Sequence, residues 1–183
     1  KIMQQRKLTS ECKYLKGRLE KISLFDNIIG QSTPMMEIFE LIPKIASSDA
    51  TVLLTGETGT GKELDAKAVH AKSTRSQSPF IAINCGSSPD TLLESELFGH
   101  RKGSFTGATH TRKGFLEVVA GGTLFLDEIG EISSKMQIDL LRVLEEKTMT
   151  RIGSREPIHI NFRLISATRK NLEEAIATGS FRE

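Results

Sequence analysis

The chain has 183 residues, 38% of them hydrophobic and 26% charged, with a net charge of +2. That is the profile of one globular domain able to bury a core without disulfides or a structural metal, and it excludes a disordered chain. No apolar run reaches the roughly 18 residues of a spanning helix and residues 1–6 carry no signal-peptide core, so no membrane partner is expected; Cys12 and Cys85 lack metal-type spacing and read as reduced thiols of a cytoplasmic protein.

The charge is uneven. Residues 1–22 hold Lys1, Arg6, Lys7, Lys13, Lys16, Arg18 and Lys21 against Glu11 and Glu20. The remainder is mildly acidic, which argues against a dedicated nucleic-acid surface there. In the same stretch Leu8, Cys12, Leu15, Leu19 and Ile22 recur at intervals of four and three, the spacing of a coiled-coil seam. Residues 1–22 are therefore read as a short helical linker. Two heptads interrupted by Gly17 suit either an amphipathic helix packed on its own domain or a dimerising helix that joins an upstream domain. Ser23-Leu24-Phe25-Asp26 breaks the pattern and opens a second unit, 23–183.

From there apolar runs alternate with helical segments, the signature of an α/β fold with a mostly parallel sheet. Strands are predicted at 51–55, 80–84, 123–126 and 163–167; the third is nearly all apolar, as a strand covered on both faces should be. Helices are predicted over 63–71, over 133–147 behind an N-cap Ser133, and over about 171–178. Residues 149–152 and 158–160, flanking Gly153-Ser154-Arg155-Glu156-Pro157, read as a hairpin.

Gly56-Glu57-Thr58-Gly59-Thr60-Gly61-Lys62 follows a strand and opens a helix, the context a G-x-x-x-x-G-K phosphate loop requires. Its glycines let successive N–H groups point inward at a phosphate, the helix N-terminus adds its positive end, and Lys62 supplies a point charge. Glu63 stands where a Ser or Thr hydroxyl usually meets Mg²⁺, which shifts the metal toward another acid. Leu124-Phe125-Leu126-Asp127-Glu128 supplies one. Asp127 would hold Mg²⁺, with Glu63 as a second candidate on the metal side, and Glu128 would polarise the attacking water. The reaction class is nucleoside-triphosphate hydrolysis, with ATP and Mg²⁺ in the site.

Between the two motifs lies Glu94-Ser95-Glu96-Leu97-Phe98-Gly99-His100-Arg101-Lys102, followed by Gly103-Ser104-Phe105-Thr106-Gly107-Ala108. The last six resemble the G-A-F-T-G-A hexapeptide of the bacterial sigma-54-dependent transcription activators, of the AAA+ ATPase superfamily. Gly61-Lys62-Glu63 and residues 121–131 match as well, and the resemblance runs from about Phe25 to the end. It implies a three-layer P-loop AAA+ fold. It also implies a ring, typically hexameric and dimeric when inactive, in which ATP hydrolysis drives the hexapeptide loop onto the sigma-54 subunit of RNA polymerase. Phe105 and Thr106 match its contact residues, and an exposed Phe flanked by glycines suits an apolar anchor on a movable loop.

The same resemblance gives Asn84 the role of a switch residue bonded to Glu128. It sets Ile28-Ile29-Gly30 against the adenine and makes Arg182 the first of two arginines reaching a neighbouring subunit's γ-phosphate. Thr168 and Arg169 fall where the family usually shows Thr-Asn in its γ-phosphate sensor, so Thr168 is grouped with the nucleotide-contacting residues. Asp65 occupies a position the family fills with an apolar side chain. The chain stops before the family's helical lid and before the C-terminal domain through which enhancer DNA is bound. Two rival readings stand beside this one: a different AAA+ motor, and a regulatory module that binds nucleotide without turnover. His70, His100, His110 and His159 show no ligand spacing and read as structural or surface residues.

Overall fold

The computed structural model describes residues 32–182. The linker expected at 1–22 and the adenine-facing Ile28-Ile29-Gly30 lie outside the described residues. Helix α1 (Thr33–Ala46) starts with Pro34 in its first turn, where a missing N–H costs nothing, and buries Phe39, Ile42 and Ala46 along one stripe. Strand β1 (Val52–Thr55) leads through the phosphate loop to α2 (Lys62–Ala71), whose N-cap is the left-handed Gly61. Strand β2 (Phe80–Asn84) precedes α3 (Asp90–Phe98), which is apolar on several sides and buries Leu93, Ser95, Leu97 and Phe98.

A two-stranded ribbon of β3 (Gly99–His100) and β4 (Arg112–Lys113) carries the hexapeptide between its strands. A single turn, α4 (Phe115–Val118), leads into β5 (Thr123–Asp127) and a 3₁₀ turn at Ile129–Glu131. Helix α5 (Ser134–Glu146) begins where the Ser133 hydroxyl accepts from the Met136 N–H, as its N-cap position predicts. The expected hairpin is present but shorter, β6 (Thr148–Met149) paired antiparallel with β7 (Ile158–His159). Strand β8 (Arg163–Thr168) and α6 (Leu172–Ala177), capped by Asn171, complete the described chain.

The sheet runs β1-β8-β5-β2 and every pairing in it is parallel. Helices α1 and α2 cover one face through Phe39, Ile42, Val69, Phe125 and Ile165. Helices α3 and α5 cover the other through Leu93, Leu97, Leu124, Leu126, Met136, Leu140 and Leu164. This is the three-layer α/β arrangement expected, and β5 and β8 are buried along almost their whole lengths because both faces are covered. Among the described residues no helix is long and apolar enough to cross a membrane.

Two charged side chains inside this frame have opposite status. Arg163 opens β8 only 1% exposed. Its guanidinium donates to the carbonyls of Ile45, Ala46 and Ala50, so it caps the C-terminus of α1 and offsets the negative end of that helix. Asp65, on α2, is half-buried, and its carboxylate has no hydrogen-bond or ion-pair partner among the described residues. Burial alone raises its carboxyl above the usual 3.8.

Two outcomes are expected. Arg163→Met, measured by denaturant unfolding, leaves the end of α1 uncapped and costs about 3 kcal/mol. Asp65→Val raises the melting temperature at pH 7 by about 3 °C, the effect of roughly 1 kcal/mol in a domain of this size. Because folding raises the pKa of Asp65, its penalty is absent below the unfolded pKa of 3.8 and complete once pH passes the folded value. The gain from Asp65→Val must therefore shrink as pH falls toward 4, and a gain constant with pH would count against this origin.

Candidate active site: the carboxyl edge of the sheet

Parallel strands place all their carboxyl ends on one edge. Register aligns Thr55 with Thr168 and Asn84 with Asp127, so the residues that follow each strand meet there. The phosphate loop leaves β1 with Gly56 N–H donating to the Thr168 carbonyl at 3.2 Å. Gly59 and Gly61 sit at φ +83° and +89°, conformations that cost an L side chain about 1 kcal/mol or more. Thr60 closes the loop by donating its hydroxyl to the Glu57 carbonyl at 2.9 Å. Lys62 is buried, and its ammonium donates to the carbonyls of Gly56 and Glu57, both at 2.9 Å. The charge is thus held inside the loop it serves.

Thr58, Gly59, Gly61, Lys62 and Glu63 share a cleft of about 330 Å³ with Asp127 and Glu128. The two motifs, more than sixty residues apart in sequence, therefore line one site. Glu128 adopts a left-handed backbone, φ 53° and ψ 46°, unusual for a residue other than glycine, and its N–H donates to Asp127 Oδ1 at 3.0 Å. That turn separates the two acids: Asp127 ends the strand and Glu128 projects from the start of the 3₁₀ turn.

Several sequence expectations need correction in detail. Asn84 Nδ2 donates to Asp127 Oδ2 at 3.4 Å rather than to Glu128, while its Oδ1 accepts from Gly86 N–H. The left-handed turn at Glu128 leaves the Asp127 carboxylate opposite Asn84 across the β2–β5 pair. Glu128 Oε2 instead accepts from the Arg169 N–H at 3.4 Å. Glu63, expected as a second metal candidate, turns its carboxylate to Lys67 at 2.7 Å on the exposed side of α2. The Thr168 side chain is fully buried, and its hydroxyl accepts from Lys170 N–H beneath Gly130. Its contribution to the site is the carbonyl that anchors Gly56.

Arg169 pairs with Glu131, which also binds Lys170 at 2.8 Å; the Lys170 hydrogen bond, aided by Arg169, holds the Glu131 carboxyl below its usual range. Beside this group lies a second, polar cleft lined by Asn84, Ser87, Asp90, Glu128 and Arg169. Cys85 is buried at its edge, its thiol pushed up to about 12 chiefly by burial and also by Asp127, and is therefore inert. Arg182 does not join either cleft. It is exposed at an apolar groove that Leu53, Leu126, Leu141 and Leu164 also line, and its N–H donates to Gln137 Oε1. Sequence reasoning missed Gln137, a buried amide on α5 that also donates to the carbonyls of Ile132 and Ser180 and so fixes the segment carrying Arg182.

The hexapeptide stands apart from the sheet edge. Gly103 and Gly107 take φ +82° and +104° with open space beside them, and Gly103 N–H closes the loop on the Ala108 carbonyl at 2.8 Å. Phe105 is 45% exposed and Thr106 is exposed, whereas Ala108 is buried. The loop stem is laced to the β6–β7 hairpin. Arg101 N–H donates to the Ile152 carbonyl, Ile152 N–H to the Gly99 carbonyl, and Arg101 pairs with Glu156. Ser104 packs so closely on Gly153 that a Cβ there would lie 2.6 Å from it.

Comparison with known proteins agrees with this geometry. The family profile described as the Sigma-54 interaction domain matches residues 28–183. The nitrogen fixation protein VnfA of Azotobacter vinelandii is 52% identical over 157 residues, 86% of this chain and 30% of that protein. The Nif-specific regulatory protein of Herbaspirillum seropedicae is 49% identical over 179 residues, 98% of this chain and 33% of that protein. The chain thus spans about a third of the length of the curated relatives it matches. Among solved structures, NtrX from Brucella abortus superposes with a TM-score of 0.80 at 32% identity, over 99% of this chain and 40% of that one. NtrX has also been solved in complex with ADP and with ATP, each with a TM-score of 0.78 to this chain. With a phosphate loop and an acidic strand end on one parallel sheet and the hexapeptide on a separate ribbon, the chain belongs to the Sigma-54 interaction domain family, the AAA+ P-loop NTPase domain of sigma-54-dependent activators.

Proposed function

We propose that the chain is the ATP-hydrolysing part of a cytoplasmic transcription activator that remodels sigma-54 RNA polymerase and so allows promoter opening. The observation that carries this reading is the single cleft in which the phosphate loop faces Asp127 and Glu128. Residues 56–62 offer inward N–H groups and the Lys62 ammonium to the β- and γ-phosphates. The family resemblance assigns residues 28–30 to contact with the adenine.

The donor set suits Mg²⁺ bound with its substrate. Among the described residues no group of three or more His, Cys, Asp and Glu could hold a metal alone, whereas Mg²⁺ commonly takes one or two carboxylates and completes its shell with phosphate oxygens and water. Asp127 is the carboxylate that would hold it, and the ion supplies neutralisation of charge on the phosphate oxygens. Glu128 accepts the proton of the attacking water as that oxygen bonds the γ-phosphorus and the bond to ADP breaks. Asn84, bonded to Asp127, registers the occupancy of this edge.

Arg182 is displaced from its own chain's cleft and exposed, which suits a residue that serves a neighbouring subunit's γ-phosphate in a ring of this chain, with a dimer as the inactive form. Residues 103–108 contact sigma-54 through Phe105 and Thr106. Enhancer DNA is bound by another part of the full-length protein. One observation favours a second reading, a nucleotide-binding switch without turnover: Arg169, at the sensor position, is engaged with Glu131.

The deciding experiment measures ATP turnover, nucleotide affinity and sigma-54 binding in the full-length protein. Glu128→Gln is expected to lower turnover by about a hundredfold or more while nucleotide affinity stays within about threefold. Bound ATP with no turnover in the unsubstituted protein would establish the switch instead. Thr106→Ala is expected to keep turnover and lose sigma-54 binding in the presence of a transition-state mimic of ATP. If sigma-54 binding survives, a different AAA+ motor is the better reading.

A further inference from the structure

The His100 side chain was read from sequence as merely structural, and its surroundings give it more to do. It is 7% exposed at the end of β3, and its Nδ1 shares a 2.8 Å hydrogen bond with the buried Ser95 hydroxyl of α3. That bond fixes the ring plane. The Phe105 and His100 rings meet edge to face, centroids 5.0 Å apart with an interplanar angle of 69°, the preferred aromatic arrangement. His110, from the far side of the ribbon, approaches the same ring at 6.1 Å. The loop that carries Phe105 is bounded by Gly103 and Gly107, both at positive φ and neither with anything within 4 Å of the position of a Cβ.

We infer that His100 is a positioning residue that seats Phe105 and holds its inner side against the domain until the loop engages its partner. The inference rests on the reading above that Phe105 contacts sigma-54. The argument is geometric. An anchor that inserts into a partner buries both faces of its ring, and Phe105 has one side occupied by an imidazole that cannot follow it, because Ser95 and the β3–β4 pairing hold His100 in place. Engagement must therefore break the seat. An edge-to-face pair biases such an equilibrium by about three- to tenfold, enough to suppress premature binding and small enough for nucleotide-driven movement to overcome.

The test exploits the absence of tryptophan from the chain. Phe105→Trp makes residue 105 the sole indole of the 183-residue chain, and acrylamide quenching reads its access to solvent. His100→Asn removes the ring and keeps an amide where Nδ1 bonded Ser95; His100→Phe restores an aromatic seat without that bond. The expected result is a quenching constant about two- to threefold higher in Phe105→Trp/His100→Asn than in Phe105→Trp, with His100→Phe returning it toward the lower value. In the full-length protein with native Phe105, His100→Asn should tighten sigma-54 binding about three- to tenfold and weaken its dependence on nucleotide. Circular dichroism and nucleotide affinity identify any variant that fails to fold. In a folded His100→Asn chain, unchanged quenching, or sigma-54 binding that is unchanged or weaker, overturns the seat. Should Phe105→Ala leave sigma-54 binding intact, the assigned role of the loop fails instead, and the quenching data still decide the contact.

Discussion

The arrangement of this domain depends on one constraint, the parallel register of its four central strands. Parallel pairing forces every strand to end on the same edge, and the register sets Thr55 beside Thr168 and Asn84 beside Asp127. Two backbone bonds then carry the register one residue further into the loops, from Gly56 to Thr168 and from Cys85 to the Asp127 carbonyl at 2.9 Å. The phosphate loop and the acidic strand end are therefore positioned by the sheet ladder, the stiffest element available, and not by side-chain contacts with each other. A slip of one residue would turn Leu124 and Leu126 toward the face that takes Phe125 and break both apolar layers, so the core protects the geometry of the site.

Local rules are broken where that edge does chemistry. Glu128 occupies a left-handed backbone that a glycine would hold more readily, and the surrounding pairs over-determine it through the Asp127 Oδ1 and Arg169 N–H bonds. Lys62 is buried without a carboxylate partner among the described residues and is satisfied by two loop carbonyls, an arrangement that leaves its charge available to an incoming anion. Arg163 breaks a rule of another kind. A fully buried guanidinium at the foot of β8 fastens the C-terminus of α1 to the sheet, and the cost of desolvating it is met by a helix end that needed donors anyway.

What could be read from the sequence follows from how local each signal is. The central strands, the N-cap at Ser133 and the phosphate loop are set by neighbours within a few residues, and each lies where periodicity and capping chemistry placed it. Helix α1 was not among the predicted elements, although Pro34 starts it and Phe39, Ile42 and Ala46 mark its inner stripe. Helix α3 was not, because burial on several sides erases the amphipathic period. The partner of Asn84 was beyond sequence reach as well. Asp127 and Glu128 are adjacent in the chain, and only the left-handed turn between them decides which faces β2. The side chains of Glu63 and Thr168 went elsewhere for similar reasons, one to a cation a helical turn away and one into the core.

The same long-range relations join the carboxyl edge of the sheet to the hexapeptide. Helix α3 begins at Asp90, in the polar cleft shared by Asn84, Glu128 and Arg169, and nine residues later reaches the loop stem. It is packed through Leu93 and Leu97 into the α5 layer, so it can shift as a rigid unit but cannot bend to absorb a displacement at either end. Ser95, on its buried face, holds the His100 ring against which Phe105 lies. The first turn of α3 and Phe105 are thus joined by one helix, one hydrogen bond and one aromatic contact. The hairpin of β6 and β7 grips the other side of the stem through Arg101, Ile152 and Gly153. With the stem held on two sides, the two unobstructed glycines are where a shift of α3 can become a change in the direction of the loop. Whether these contacts act as one device is a question of coupling energy, and double substitutions along that route, compared with the singles, measure it directly.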